Sequence, residues 1–443
     1  AVVLAAVGAT RALMAPSADR AVMRGNFNIA VAEFAAVGRG GRPEASPDAL
    51  ALALAVHGRL RDELSAISRE GFELELRPPA ETGMLEGATP ARRAAAAAEL
   101  ARRIRADVIV YGTLELGDRS RFRPEFFVSE AKLSGAEELF GQYQLGSLVE
   151  APGNITLNPV VQRDVRDEVL GRTRALAEFI LGLSYLAVSQ PQPALDHFEA
   201  ARNAPGWDDR DGKEVLFLLL GTAAAKVGDL DRARLAYERS LAIEPEYARA
   251  RLGQADLVFQ RSRGDCRAET VDPGGLRHSR EMFEGALTAR VRPALSDVSV
   301  KAAFGRGRVH LCLSQAGLSD HWMDAERDFE HVVDAYMRGN QRVRELAAES
   351  YANLGLVHLP AVGDPDGVAR YRKAEADYAK AVDLTRDDSR KALFHSMRGF
   401  ILGRLGEEEE ADEAYRQAIA LERDPTTRAG YEQARARLAE ELR

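Results

Sequence analysis

One spacing recurs along the C-terminal two-thirds of this chain: a glycine, then a small residue, an aromatic four positions on, and another small residue three further. It reads Gly182, Ala194, Phe198, Ala201, then Gly221, Ala233, Tyr237, Ser240, and again Gly399, Ala411, Tyr415, Ala418. Helix-pair repeats of about 34 residues carry one such set per repeat. Glycine and alanine fall where two helices cross, so that the backbones approach closely, and the aromatic fills the gap toward the neighbouring repeat. The pattern predicts a stacked all-α solenoid, an architecture that offers an extended binding surface.

Three further copies are modified. Ala255 stands where glycine would, and its second helix, around Ser279, Phe283 and Ala286, is displaced by a polar insertion near 262–275. Gly305 is followed by Ala325, Phe329 and Val332, and Gly355 by Ala374, Tyr378 and Ala381, with longer loops between the helices. Lengthening a loop costs little chain entropy. About six repeats over 174–425 are expected, followed by a polar capping helix over 426–443. These sets resemble tetratricopeptide repeats, and the resemblance implies a superhelical solenoid that binds protein or peptide partners.

The 443 residues are too many for one compact domain. Residues 26–150 read as a separate small α/β domain, so the fold class is α+β multidomain. Phe27–Phe34 (FNIAVAEF) is a strand by its alternating apolar pattern. A helix with Leu52, Val56, Leu60 and Leu64 follows, with Asp48 as its N-cap. Phe72–Leu76, 107–116, 122–128 and 142–149 are further strands, and the Ala-rich stretch 91–105 is a helix. Pro124 argues for an edge position, since proline cannot donate to a ladder. The order resembles the TolB amino-terminal-like domain in FNIAVAEF, LRDELSAI and ARRIRADVIVYGTLEL, with Gly112-Thr113 and the turn at Gly117-Asp118. That resemblance implies an accessory α/β module and carries no active site. Residues 151–173 read as a linker. Within it Asn154-Ile155-Thr156 fits the glycosylation acceptor, a pattern short enough to recur by chance.

The opening AVVLAAVGA is apolar to Met14 apart from Thr10 and Arg11, and Pro16 breaks it. Residues 1–25 are expected to be the last turns of a transmembrane anchor plus a linker. Arg11, Arg20 and Arg24 against Asp19 place the following domain on the cytoplasmic side, with the extracytoplasmic side as the alternative.

A net charge of −8, carried as −2 over 1–150 and −6 over 151–443, argues against a nucleic-acid partner, which needs a basic face. Cys266 and Cys312 form no zinc spacing and are expected to be free thiols. The eight histidines fit no metal motif. Gly38, Gly40 and Gly41 do not form a phosphate loop, and Asp364-Pro365-Asp366-Gly367 lacks the later carboxylate of a calcium loop. The run Glu407–Glu410 reads as a solvated first helical turn, complementing the helix dipole. No catalytic residue, cofactor or metal is expected.

First helices line a solenoid's groove. The repeat pattern turns Leu218, Thr222 and Lys226 inward, then Arg249, Leu252 and Asp256, then Arg306 and Val309, Leu356, and Phe400 and Arg404. Of these, Lys226, Arg249, Asp256, Arg306, Leu356, Phe400 and Arg404 are the candidate contacts. Their mixture of apolar and cationic groups suits a partner segment of acidic character. The expected function is a non-enzymatic, membrane-tethered interaction scaffold. The alternative is the sensory or regulatory region of a larger signalling protein or enzyme. Nothing in the sequence sets the oligomeric state.

Overall fold

The computed structural model describes residues 22–37, 42–67, 73–115, 120–129, 141–146, 148–151, 159–205, 207, 212–288, 297–361 and 363–441. The apolar opening at 1–21, the glycine loop at 38–41, the turn at Gly117-Asp118 and the Asn154 motif lie outside the described residues. Among the described residues no helix is long and apolar enough to cross a membrane. The chain divides into two compact units, residues 1–245 and 246–443.

Unit one begins with β1 (Phe27–Val31), β2 (Ala35–Val37) and β3 (Pro43–Ala45). There follow α1 (Pro47–Ile67), β4 (Leu74–Arg77), the single turn α2 (Pro79–Thr82) and α3 (Pro90–Ile104). The sheet is completed by β5 (Val108–Glu115), β6 (Ser120–Val128), β7 (Gly141–Gln144) and β8 (Val149–Ala151). β1 is the parallel partner of both β4 and β5, with Ile29 opposite Leu76 and Val108. Every residue of β1 is buried, as a central parallel strand covered on both faces requires. β2 continues along β5, with Ala35 opposite Thr113. FNIAVAEF therefore holds β1 alone, and β2 starts at Ala35 just beyond it. α3 starts where Thr89 caps the Arg92 N–H and Pro90 takes the first turn. It packs Leu100, Ala101 and Ile104 on Ala30, Ile109 and Tyr111. A buried ion pair ties it to the sheet, with Arg93 Nε 2.8 Å from Glu125 Oε2 and Nη2 2.9 Å from Oε1.

Pro124 is not at an edge. β6 pairs with β5 along its whole length, Pro124 facing Gly112. On the other side β7 covers Glu125–Val128 and β8 covers Ser120–Phe122. Pro124 sits in the gap between those two ladders, where no N–H is needed, and its carbonyl accepts from the Leu145 N–H at 3.0 Å.

Residues 159–171, read above as linker, form α4 (Pro159–Gly171), which packs on α1 and β8. α5 (Thr173–Ala187) and α6 (Pro191–Asn203) make the first helix pair, and α7 (Lys213–Lys226) and α8 (Leu230–Ile243) the second. The first pair shares a core with the sheet. Phe179 on α5 is fully buried against Phe126 of β6 (5.2 Å between centroids), Trp207 (5.8 Å) and Phe198 of α6 (5.9 Å). Arg174 bridges Glu63 of α1 at 3.0 Å and Glu178 at 2.6 Å. The sheet and the first helix pair therefore share a core on either side of the segment expected to be a linker.

Unit two pairs α9 (Ala248–Ser262) with α10 (Pro273–Thr288), α11 (Asp297–Gln315) with α12 (Trp322–Met337), α13 (Arg344–His358) with α14 (Gly367–Leu384), and α15 (Asp388–Leu405) with α16 (Glu408–Leu421). α17 (Pro425–Glu441) follows and packs on α16 and α15. In most pairs the aromatic meets the glycine of its own pair, not the neighbouring repeat as the spacing suggests. A Cβ on Gly182, Gly221 or Gly355 would come within 2.4 or 2.5 Å of Phe198, Tyr237 or Tyr378. The fourth set differs: Gly305 abuts Phe283 of the preceding pair, and Gly307 lies against Phe329. Where one of the small residues is serine, its hydroxyl crosses to the partner helix. Ser240 Oγ donates to Glu214 O and Ser279 Oγ to Ala255 O, both at 2.8 Å.

Cys266 and Cys312 are not free thiols; they form a disulfide with a Cα separation of 5.0 Å. It ties the insertion after α9 to α11 and brings Cys266 against the buried cluster of Leu252, Phe259 and Leu276.

Candidate interaction surface

The structure scatters the candidate groove residues. Leu218, Leu252 and Val309 are buried. Arg249 is also buried, at 1% exposed, with its guanidinium 5.9 Å from the Tyr247 ring centroid, so it presents nothing to a partner. Arg306 is committed to Asp328 through two hydrogen bonds of 2.7 and 3.0 Å. Leu356 packs among the hydrophobic clusters of α11–α13 and α13–α15. Thr222 turns its hydroxyl back to the Leu218 carbonyl. Lys226, Phe400 and Arg404 are exposed, and Arg404 lies 5.6 Å from the Phe400 ring.

Asp256 reaches α11, where Arg308 pairs with it at 3.1 Å and covers the rings of Phe259 and Phe304 at 4.5 and 5.6 Å. Arg308 sits on the same helix as Arg306, two residues on and so on a different face, and periodicity alone did not single it out. Farther along, Glu349 of α13 pairs with Arg390 of α15. The first helices of unit two thus carry mutually neutralised charges, and their cationic character is largely spent inside the protein.

The charge left over lies elsewhere. Glu375 of α14, Arg398 and Leu402 of α15, and Glu407, Glu409, Glu410, Glu413, Ala414 and Gln417 at the start of α16 line a pocket of about 490 Å³. Arg398 is held by Glu375 at 2.7 Å, and Glu407 by Arg372. That contact draws the Glu407 carboxyl below its usual range. Glu409 and Glu410 are exposed on the helix's first turn. The acidic run, expected only as a solvated first turn, is thus one wall of a concavity. In unit one, a second pocket of about 470 Å³ is lined by Phe217, Leu220, Arg232, Leu235 and Arg239 among others.

A third feature is a histidine cluster. His310 of α11 and His321, the residue before α12, stack with ring centroids 5.0 Å apart. His310 Nδ1 lies 3.1 Å from Asp328 Oδ2, and His321 Nδ1 lies 3.0 Å from Asp324 Oδ2. The His321 hydrogen bond holds the Asp324 carboxyl below its usual range. Burial pushes Asp328 up, but His310 and Arg306 outweigh it and hold that carboxyl low. In sequence these residues fit no ligand spacing, because the loop between α11 and α12 separates them.

Residues 394–425, spanning most of α15 and all of α16, match the family model described as Tetratricopeptide repeat. Among solved structures the chain is similar to a tetratricopeptide repeat protein from Parabacteroides merdae, at 15% identity over 62% of this chain and 92% of that one, with a TM-score of 0.40. It is also similar to a thermophilic tetratricopeptide repeat protein of Thermus thermophilus, at 19% identity over 50% and 98%, TM-score 0.36. A third is PilW, a widely conserved type IV pilus biogenesis factor, at 16% identity over 56% and 92%, TM-score 0.40. No curated protein matches the chain. The molecule is a small α/β region followed by helix-pair repeats that resemble tetratricopeptide solenoids.

Proposed function

We propose that this chain is a non-enzymatic protein–protein interaction scaffold that takes a cationic segment of its partner at the acidic pocket on α14–α16. The observation that carries the reading is the pocket's charge: five carboxylates around one arginine that is already paired, on the repeat that matches the family model. Opposite charge in a concavity raises encounter rates and favours lysine- or arginine-bearing segments. The expectation of an acidic partner segment gives way to this, since Arg249 and Arg306 are engaged within the fold. Fluorescence anisotropy with Lys/Arg-rich and Asp/Glu-rich peptides of equal length tests it. The cationic set should bind, more weakly as salt rises, and Glu409→Lys with Glu410→Lys should abolish the signal. Equal affinity for both sets, or no effect of the reversal, would refute the reading.

The membrane tether through residues 1–25 belongs to the same proposal, and detergent-dependent extraction of the native protein would test it. The Cys266–Cys312 disulfide favours the extracytoplasmic side over the cytoplasmic one, because such bonds persist in oxidising compartments. We read residues 26–150 as the TolB amino-terminal-like module, a reading supported by the parallel β4-β1-β5 core followed by antiparallel β6. The core shared by β6 and α5 favours a second function, in which the α/β module senses a ligand and passes its occupancy to the helices. A thermal-shift screen on the whole chain that stabilises nothing counts against it.

A further inference from the structure

We propose that His310, His321 and Asp324 form a binding site for a divalent transition-metal ion, with Zn(II) the best-suited occupant. One ligand atom from each of the three side chains lies within 4.8 Å of the others. A tetrahedral zinc ion needs its ligand atoms about 3.3 Å apart, given metal–ligand distances near 2.0–2.1 Å. Small side-chain rotations close that difference, since His321 and Asp324 are part-exposed at the mouth of the α11–α12 loop. Two imidazoles and a carboxylate suit zinc, nickel or copper rather than calcium, which prefers oxygen alone. Three protein ligands leave a further position for water.

The surroundings hold the ligands in place. Asp328 engages His310 Nδ1, fixing the tautomer that leaves the lone pair on Nε2. Arg306 in turn clamps Asp328 with two hydrogen bonds. This carboxylate–histidine support is the arrangement that orients metal-bound imidazoles. The His321 backbone N–H donates to Ser314 Oγ at 2.9 Å, anchoring the loop independently of the ring. Arg280 Nη1 lies 3.4 Å from His321 Nε2. A metal ion would displace this guanidinium and take over its positive charge beside Asp324 and Asp328. Cys312, two residues beyond His310, is locked in the disulfide and supplies no sulfur ligand. The ion would tie the end of α11 to the start of α12 across the loop between them.

The test uses the full chain, stripped with EDTA and dialysed, then titrated with ZnCl₂ by calorimetry and with CoCl₂ by visible absorption. One ion per chain should bind, and Co(II) should show the intense bands of four- or five-coordinate geometry. His321→Gln and Asp324→Asn should each weaken binding about tenfold or more, while His278→Gln, at a histidine outside the cluster, should change nothing. Circular dichroism without metal should show both cluster variants folded, because the Ser314 contact uses the backbone. If the parent binds no ion, or both cluster variants bind as the parent does, the site does not exist.

Discussion

At the scale of single residues, the glycine–aromatic contact is the unit on which four of the helix pairs rest. Gly221→Ala would bring a Cβ to 2.5 Å from the Tyr237 ring, and overpacking of this kind costs about 1–3 kcal/mol. Tyr378→Ala removes a buried ring and should cost about 3–5 kcal/mol, read by chemical denaturation. Two buried histidines should respond to pH in opposite senses. Burial, reinforced by Arg398 and Lys391, pushes His395 down to about 4. Its folded pKa lies below the unfolded value near 6.5, so the stability it contributes is complete above 6.5 and drains away as pH falls toward 4. Burial opposes charge on His358 too, but its bonds to Asp377 (2.5 Å) and Glu326 (2.9 Å) prevail and raise its pKa. Its contribution is complete below about 6.5 and is lost as pH rises through the folded value. Melting temperatures from pH 4 to 9 should therefore show His395→Gln losing less stability than the parent on acidification. His358→Gln should be most destabilising at the acidic end, where the parent's ion pairs are intact. The small and aromatic positions were legible in the sequence because packing dictates both their size and their spacing. The burial of Arg249 was not, since an arginine's exposure depends on neighbours contributed by other elements.

At the scale of elements, loops and strand ends departed most from the sequence reading, and each departure has a local cause. Pro124 was read as marking an edge because proline lacks a donor; in the structure the ladder has a gap at that residue. The cysteines were read as free because their separation of 46 residues says nothing about proximity, and only the folded insertion brings their Cα atoms to 5.0 Å. A loop of that length restrains the unfolded chain by up to about 4 kcal/mol. Reduction should lower the melting transition of residues 246–443, and Cys266→Ser should reproduce the shift without reductant. Scanning calorimetry with and without a phosphine reductant checks this, and an unchanged thermogram would mean the bond restrains little. Of the α16 pocket, only the acidic composition of Glu407–Glu410 was legible, as a solvated first turn and not as a wall. Its facing residues Glu375 and Arg398 were not, because they come from other helices.

At the scale of the whole chain, the expected linker over 151–173 and the two compact units that meet at 245 make different physical claims. Phe179 and Arg174 belong to the first repeat by sequence, yet their partners Phe126 and Glu63 belong to the sheet and α1. A chain starting at residue 174 would expose the apolar face that Phe126 covers, and it should aggregate on expression. Pieces cut between 245 and 246 should each stay soluble, with native helical content by circular dichroism. Repeats usually read as interchangeable, because each touches only its neighbours. Here the neighbour of the first helix pair is a β-sheet. Over evolutionary time, units outside the first pair and the disulfide-linked pairs α9–α10 and α11–α12 can be duplicated or lost one at a time, but the first pair and the α/β module must be inherited together. A search for distant kin should therefore use residues 27–203 as one indivisible probe.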